Sequence, residues 1–330
     1  MKRLNNIFQK IISIDNLRLA DERARKGKSN TYGIRLHDKY RDGHINTLHE
    51  MLVNKTFSTS AYTTFTIYEP KERVISRLPY YPDRIVHHAI MNVLEPIWLT
   101  LFTRDTYSCI KKRGIHGCMN ALQKAMKSRP KFCLKIDIKK FYPSIDHNIL
   151  KQIIRRKIKD KDTLWLLDDI IDSSAGVPIG NYLSQYYANL YLSYFDHWIK
   201  EDKHIANYYR YADDMVFLSN DKAQLKELLT EIKLYMSSEL NLKLKQNYQI
   251  FPIASNNNDI HGRGIDYVGY VFYHDELRIR KSIKINMFKR IQHLRKIKIP
   301  HKEYVQAICS WTGWFKHCNN NNYNKLIKCI

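Results

Sequence analysis

An α+β fold, an antiparallel sheet backed by helices and followed by a helical appendage, is what this 330-residue sequence predicts. Three observations carry it. Between Tyr208 and Asn220 two apolar strand patterns meet at adjacent aspartates, Asp213 and Asp214, the pattern of a tight β-hairpin with carboxylates at its tip. A second apolar strand, Phe132 to Ile138, carries Asp137 near its end. Strands, helices and strands again follow one another with little βαβ alternation, which argues against a parallel sheet.

Taken in order, the stretch up to about Thr64 is polar and basic, with a helix predicted around Asp15 to Arg25 and a turn at Gly27. Phe65 to Glu69 and Arg73 to Ser76 alternate as two short strands around Pro70 and Lys71. Pro82 to Trp98 has helical spacing, with Ile85, Val86, Ala89, Ile90, Val93 and Leu94 on one stripe. After the strand ending at Asp137, Asp146 is placed to cap a helix whose apolar stripe is Ile149, Leu150, Ile153 and Ile154. A second capped helix is expected near Asp221, with Leu225, Leu228, Leu229, Ile232 and Met236 inward. Asn256 to Asp259 reads as a loop, Tyr267 to Tyr273 and Leu277 to Arg280 as a strand pair, and the tail from Lys281 as helical.

The 55 basic residues exceed the 32 acidic ones by 23, a surplus that points to a polyanionic partner, nucleic acid before anionic membrane. No apolar run is long enough to span a bilayer and no signal-peptide core follows Met1-Lys2-Arg3, so a cytoplasmic protein without membrane association is expected. The cysteines (Cys109, Cys118, Cys133, Cys309, Cys318, Cys329) form no C-x-x-C pair and read as inert thiols rather than zinc ligands.

Asp137, Asp213 and Asp214 are the chemical centre of this pattern. Three carboxylates on two neighbouring strands can hold two hard divalent cations, the requirement of metal-assisted nucleotidyl transfer. Acids gathered in so basic a chain are costly unless a cation uses them.

Four motifs occur in order: Asp137-Ile-Lys-Lys-Phe-Tyr142, Gly176-Val-Pro-Ile-Gly180-Asn-Tyr-Leu-Ser184-Gln185, Tyr211-Ala-Asp213-Asp214 and Tyr267-Val-Gly269-Tyr270. From about Tyr68 to Gly313 the chain resembles a reverse transcriptase of the bacterial, group II intron-like lineage. The resemblance implies a right-hand polymerase. Its parts would be an N-terminal basic extension (1–64), interleaved fingers and palm (65–273), the palm an antiparallel sheet backed by helices, and a helical thumb (274–330). It implies RNA-directed DNA polymerase (nucleotidyltransferase) activity with Asp137, Asp213 and Asp214 catalytic. Two Mg²⁺ ions, with Mn²⁺ able to stand in, would be held at Asp137, Ile138, Asp213 and Asp214.

Further roles follow from the same resemblance. Tyr142 would stack under the incoming sugar and select deoxynucleotides; Lys71, Arg73 and Arg113 would contact the triphosphate of the dNTP; Gly180 would let the backbone approach template–primer or nucleotide closely. Ser184 and Gln185 match the family but stay ambiguous as helix residues. Tyr267, Val268, Gly269 and Tyr270 resemble a primer grip. Arg278, Arg280, Lys281, Lys284, Lys289 and Arg290 would hold an RNA–DNA duplex electrostatically, with no acid interrupting the run from Arg278 to Lys298. The lysine that related enzymes place after a segment like Leu242-Lys243-Leu244 is missing, which leaves the general acid open between Lys243 and Tyr248.

Ile179 is the informative departure. Many reverse transcriptases have Gln there, whereas those of diversity-generating retroelements have an aliphatic residue before the glycine, as here. Losing an amide that probes the forming base pair loosens selection, and in that family the looseness falls on template adenines. The expected role is therefore error-prone copying of a template RNA for mutagenic retrohoming, with a small basic accessory variability protein as partner, in a bacterial or phage context. Another bacterial reverse transcriptase, serving phage defence or a group II intron, and a non-catalytic RNA-binding module are the alternatives. No RNase H, maturase or endonuclease domain is expected after the thumb. His87-His88 and Gly262-Arg-Gly264 carry no expected function, and Trp311 and Trp314 read as thumb core.

Overall fold

The computed structural model describes residues 3–68, 72–297 and 299–318. Helices α1 (Phe8–Ile12), α2 (Ile14–Arg25), α3 (Tyr32–Asp38) and α4 (Arg41–Val53) precede the hairpin of β1 (Thr63–Ile67) and β2 (Arg73–Arg77). Then come α5 (Ile85–Leu99), α6 (Gly114–Met126), β3 (Phe132–Asp137), α7 (His147–Lys157), α8 (Lys161–Asp172), α9 (Tyr182–Tyr191) and α10 (Ser193–His197). The hairpin β4 (Tyr208–Tyr211) and β5 (Asp214–Ser219) leads to α11 (Lys222–Ser238) and β6 (Gln249–Pro252). The chain continues through β7 (Ile265–Tyr267), β8 (Tyr270–Phe272), β9 (Leu277–Ile279), α12 (Lys281–Lys296) and α13 (His301–Phe315). These elements divide between two compact units. The first holds the chain up to Cys109, Ile138–His204 and Lys233–Leu244; the second holds Ile110–Asp137, Ile205–Ile232 and the chain from Lys245 on.

In the first unit the N-terminal stretch, polar in its average composition, still builds a core because its apolar residues recur at helical spacing. Leu17, Ala20 and Ala24 of α2 are buried, and α2 packs on α4 and α5, whose Ile45, Leu48, Leu52, Ile85, Val86, Ala89 and Ile90 are buried too. Ser13 caps α2 by accepting from Asn16 N. The β1–β2 hairpin pairs Phe65 with Ile75 and Thr66 with Val74. Asp146 caps α7 through the amides of Asn148 and Ile149, as its position in the sequence predicts. Helix α8, which the sequence reading passed over, starts at Asp160. That carboxylate accepts from the amides of Thr163 and Asp162 and also from Ile7 and Phe8.

The second unit is built on an antiparallel sheet in the order β4-β5-β3-β6. Leu134, Ile136, Met215 and Phe217 are buried, and α6 packs on β4. A three-stranded antiparallel sheet, β7-β8-β9, stands where one strand pair was expected. Tyr267 to Tyr273 cannot form a single strand because Val268 and Gly269 take φ of +43° and +88° and reverse the chain. Helices α12 and α13 close over Met287, Ile291, Leu294, Ile308 and Phe315, with Trp311 and Trp314 against that cluster. Among the described residues no helix is long and apolar enough to cross a membrane, and no disulfide forms.

Candidate active site

The site in the second unit follows from strand register. Strand alternation puts Cys133, Lys135 and Asp137 on one face of β3, and the β3–β5 ladder sets Asp137 directly opposite Asp214. Facing residues of an antiparallel pair have Cβ atoms about 5 Å apart, and like charges so placed repel. Asp213 completes the two-residue turn between β4 and β5, where Ala212 adopts φ +56°. That left-handed alanine is supported from inside: the fully buried Arg210 donates from Nη1 to the Ala212 carbonyl at 3.1 Å. Tyr267, also fully buried, directs its hydroxyl at the carbonyls of Tyr209 (3.0 Å) and Asp214 (2.9 Å), pinning both strands.

Burial and the neighbouring Asp137 push the Asp213 carboxyl above its ordinary range. Burial also pushes Asp214 up, to about 6; Lys135 pulls against that shift and Asp137 and Asp213 add to it. Two lysines neutralise part of the cluster. Lys245 Nζ lies 2.6 Å from Asp137 Oδ2, and Lys245 N donates to the Asp137 carbonyl at 2.8 Å; Lys135 Nζ lies 3.7 Å from Asp214 Oδ2. Asp137 Oδ1 and Asp214 Oδ1 remain buried without a hydrogen-bond partner. Such orphaned carboxylate oxygens are costly in a protein interior. Among the described residues no group of three or more His, Cys, Asp or Glu is arranged so that it could hold a metal ion by itself. In donor chemistry, carboxylate oxygens, two of them here without a partner, are the hard ligands that divalent cations such as Mg²⁺ take. Ile138, the further ligand that the resemblance implies, is buried and bridges Leu244.

In the first unit, Tyr142, Ile179 and Gly180 line one cavity of about 240 Å³ together with Lys28, Arg84 and Gln185. Gly180 has φ +124°, and a Cβ there would fall 2.3 Å from the Ser76 carbonyl oxygen. One close approach that the glycine permits is to the β2 backbone, where Ser76 N also donates to Ile179 O at 2.7 Å. Sequence reasoning missed Lys28 and Arg84. Arg84 Nε is buried without a partner, and the Lys28 ammonium is held below its usual range by Arg84 and, after burial, by Arg77. Such converging cations suit an anionic ligand, but only folding brings Lys28 beside the glycine motif. Lys135 was missed too, although period-two alternation places it on the Asp137 face; Lys245 lies in the Lys243–Tyr248 stretch where the general acid is left open. Arg73 opens β2 as an exposed residue outside the cavity lining, Arg113 precedes α6 in the second unit, and Lys71 lies outside the described residues.

Residues 69–271 match the family model described as reverse transcriptase (RNA-dependent DNA polymerase). The chain belongs to the reverse transcriptase family. Its helices and antiparallel sheets fit the right-hand polymerase fold of that family. It is 27% identical over 281 residues to the retron Ec73 reverse transcriptase of Escherichia coli, covering 79% of this chain and 81% of that one. It is 24% identical over 236 residues to protein YkfC of Escherichia coli strain K12, covering 56% of this chain and 62% of that protein. The group II intron-encoded protein LtrA of Lactococcus lactis is 25% identical over 137 residues, 38% of this chain and 23% of its own length. Among solved structures, an apo telomerase from Candida tropicalis truncated from its C-terminal domain aligns with a TM-score of 0.49 and 14% identity, over 72% of this chain and 60% of that one. The chain thus spans less than two thirds of YkfC and of that telomerase.

Two segments that the resemblance assigns to nucleic-acid contact also make contacts within the protein. In the segment resembling a primer grip, Tyr267 and Tyr270 are fully buried, so their rings serve packing, and a Cβ on Gly269 would fall 2.4 Å from the Trp314 ring. The φ of Gly269, +88°, favours glycine, and its close neighbour is Trp314. In the basic run, Arg278 pairs with Glu276 at 2.9 Å and Arg280 with Asp266 at 2.6 Å. Acids that precede the run in sequence are folded back onto it. Lys281, Lys289 and Arg290 are exposed on α12, and Lys284 is partly buried.

Proposed function

We propose that this reverse transcriptase copies an RNA template into DNA at Asp137, Asp213 and Asp214, and that it serves a diversity-generating retroelement. The polymerase reading rests on one observation above others: Asp137 stands directly opposite Asp214, beside the Asp213 turn, with two buried carboxylate oxygens unsatisfied. In the reaction the primer 3′-oxygen bonds to the α-phosphorus of a dNTP, the bond to the β-phosphate breaks, and pyrophosphate leaves. Two Mg²⁺ (or Mn²⁺) ions held by Asp137, Ile138, Asp213 and Asp214 would supply the Lewis-acid chemistry for both oxygens. The chain's own contribution is to hold those acids on a pinned hairpin. Tyr142 would present an aromatic edge against a ribose 2′-hydroxyl, and Lys28 and Arg84, with Lys71, Arg73 and Arg113, would supply cations toward nucleotide phosphates. Fingers and palm would fall within 65–273 and the thumb within 274–330, its exposed Lys281, Lys289 and Arg290 facing an RNA–DNA duplex.

Ile179 supports the finer reading, because a hydrocarbon replaces an amide in the cavity shared with Tyr142 and Gly180. That reading brings with it a structured template RNA, a small basic accessory variability protein and a bacterial or phage-infected cytoplasm. A second reading, a retron-type enzyme, is favoured by the 27% identity with the Ec73 reverse transcriptase over most of both chains. Primer extension on an RNA template separates these. The wild type should extend the primer, and Asp213→Ala should lower the rate by three orders of magnitude or so, the scale of losing transition-state electrostatics. Equal rates in both proteins, or none in the wild type on any RNA template, would sink the polymerase reading. Sequenced products should show errors concentrated opposite adenine, fewer in Ile179→Gln. A flat error spectrum would leave the polymerase standing and move the assignment to the retron type.

A further inference from the structure

Lys135 touches more than an acid. It lies two residues before Asp137 on the same face of β3, and its Nζ donates to the Asp266 carbonyl at 2.5 Å. The same ammonium stands 3.7 Å from Asp214 Oδ2 and 5.9 Å from the centre of the Tyr267 ring. Asp266 and Tyr267 are the last residues of β7 before the Val268–Gly269 turn, the segment that resembles a primer grip. The Asp266 carboxylate is taken by Arg280, so its carbonyl is what Lys135 holds.

Two tethers therefore run from this hairpin to the aspartate hairpin. One passes through the buried Tyr267 hydroxyl, which donates to the backbone carbonyls of Tyr209 and Asp214. The other passes through Lys135 and joins the β7 backbone to the Asp214 side chain. We propose that Lys135 is a positioning residue that holds the β7–β8 turn and the Asp214 carboxylate in one frame, so that a seated primer terminus and the catalytic acid move together. This rests on the polymerase reading above and adds to it a part that Asp137, Asp213 and Asp214 do not play. The lysine is separable from folding. Its side chain keeps 26% of its exposure, and its strand pairs with Val216 and Gln249 through backbone bonds that any residue would make. A methionine fills nearly the same volume but leaves the Asp266 carbonyl and the Asp214 oxygen without their shared donor.

The test compares wild type, Lys135→Met and Lys135→Arg in three measurements. These are melting temperature, affinity for an RNA–DNA template–primer, and fluorescence of 2-aminopurine at the primer 3′ end, recorded in EDTA. Single-nucleotide kinetics in Mg²⁺ are added. Lys135→Met should melt as the wild type does and bind template–primer within about threefold, yet show altered 2-aminopurine quenching and a kcat lower by about tenfold or more, the scale of a lost charge-assisted hydrogen bond. Lys135→Arg, which can still donate to both oxygens, should recover most of both signals. Unchanged quenching and kcat in Lys135→Met would overturn the proposal. So would parallel losses of melting temperature and affinity in both variants, since that is the mark of a structural lysine. A wild type that extends no primer would remove the polymerase reading, whereas the quenching measured in EDTA would still report whether the tether exists.

Discussion

At residue 180 a Cβ would lie 2.3 Å from the Ser76 carbonyl oxygen, on a backbone already at φ +124°. Neither partner can give way cheaply, because the obstructing atom is main chain and Ser76 N is bonded to Ile179 O. Gly180→Ala should therefore cost about 2–4 kcal/mol, strain and overlap combined. Gly27→Ala, at φ +72° with nothing within 4 Å, should cost about 1 kcal/mol. Urea unfolding midpoints of the two variants check the ranking, and equal midpoints would count against it. The glycine was legible in its motif. Its neighbour was not, since Ser76 reaches it only after β2 has folded against the Ile179–Gly180 segment. The aspartates show the same division: alternation placed Asp137 and Asp214 at strand ends, but register alone made them face each other.

Among the elements, α2 carries an acid where its pattern calls for an apolar residue. Asp21 is fully buried between Ala20 and Ala24. Burial opposes its charge, but His37, Tyr80, Arg25 and Arg41 outweigh that and hold the carboxyl well below its ordinary 3.8. Arg41 Nε at 2.6 Å comes from the start of α4, Tyr80 Oη at 2.5 Å from the turn before α5, and Arg25 Nη2 at 2.8 Å from α2 itself. One carboxylate thus ties three segments of the first unit. Because its folded pKa is lowered, its contribution is complete above the ordinary value and is lost as pH falls below 3.8 toward the depressed one. Asp21→Asn should lower stability at neutral pH by about 3 kcal/mol, as breaking one side of a buried ion pair does. The gap to wild type should narrow as pH falls from about 5 to about 3. A gap that is constant with pH, followed by thermal unfolding, would show that charge is not what Asp21 contributes. Nothing in the sequence marks Asp21 out, because its partners come from elements far apart in the chain.

For the molecule as a whole, a net charge of +23 makes nucleic-acid affinity steeply dependent on salt. Between 50 and 200 mM salt, template–primer affinity should fall by about a thousandfold or more if six or so phosphates are neutralised. A slope near zero in log Kd against log salt would show that the surplus charge does not face the duplex. Replacing Lys281, Lys289 and Arg290 together should flatten the slope more than replacing Arg278 and Arg280, which are already paired with Glu276 and Asp266.

Local chemistry was enough to reveal β1 to β5, helices α2, α5, α7, α9 and α11, the helical tail, the caps at Asp146 and Asp221, the acid-tipped hairpin and the ordered motifs, which lie within the matched family region. Period, capping and turn residues act over a few positions, so they are written where they act. The sequence reading did not reveal helices α1, α3, α4, α6, α8 and α10, strand β6, the break at Val268–Gly269, or the inward packing of Tyr267 and Tyr270. Nor did it reveal the arginines already paired with acids, or Lys135 beside Asp214. Each depends on which distant side chain or backbone arrives at a given position. Tertiary structure decided those, because burial, register and the sharing of charge are properties of neighbours in space and not of neighbours along the chain.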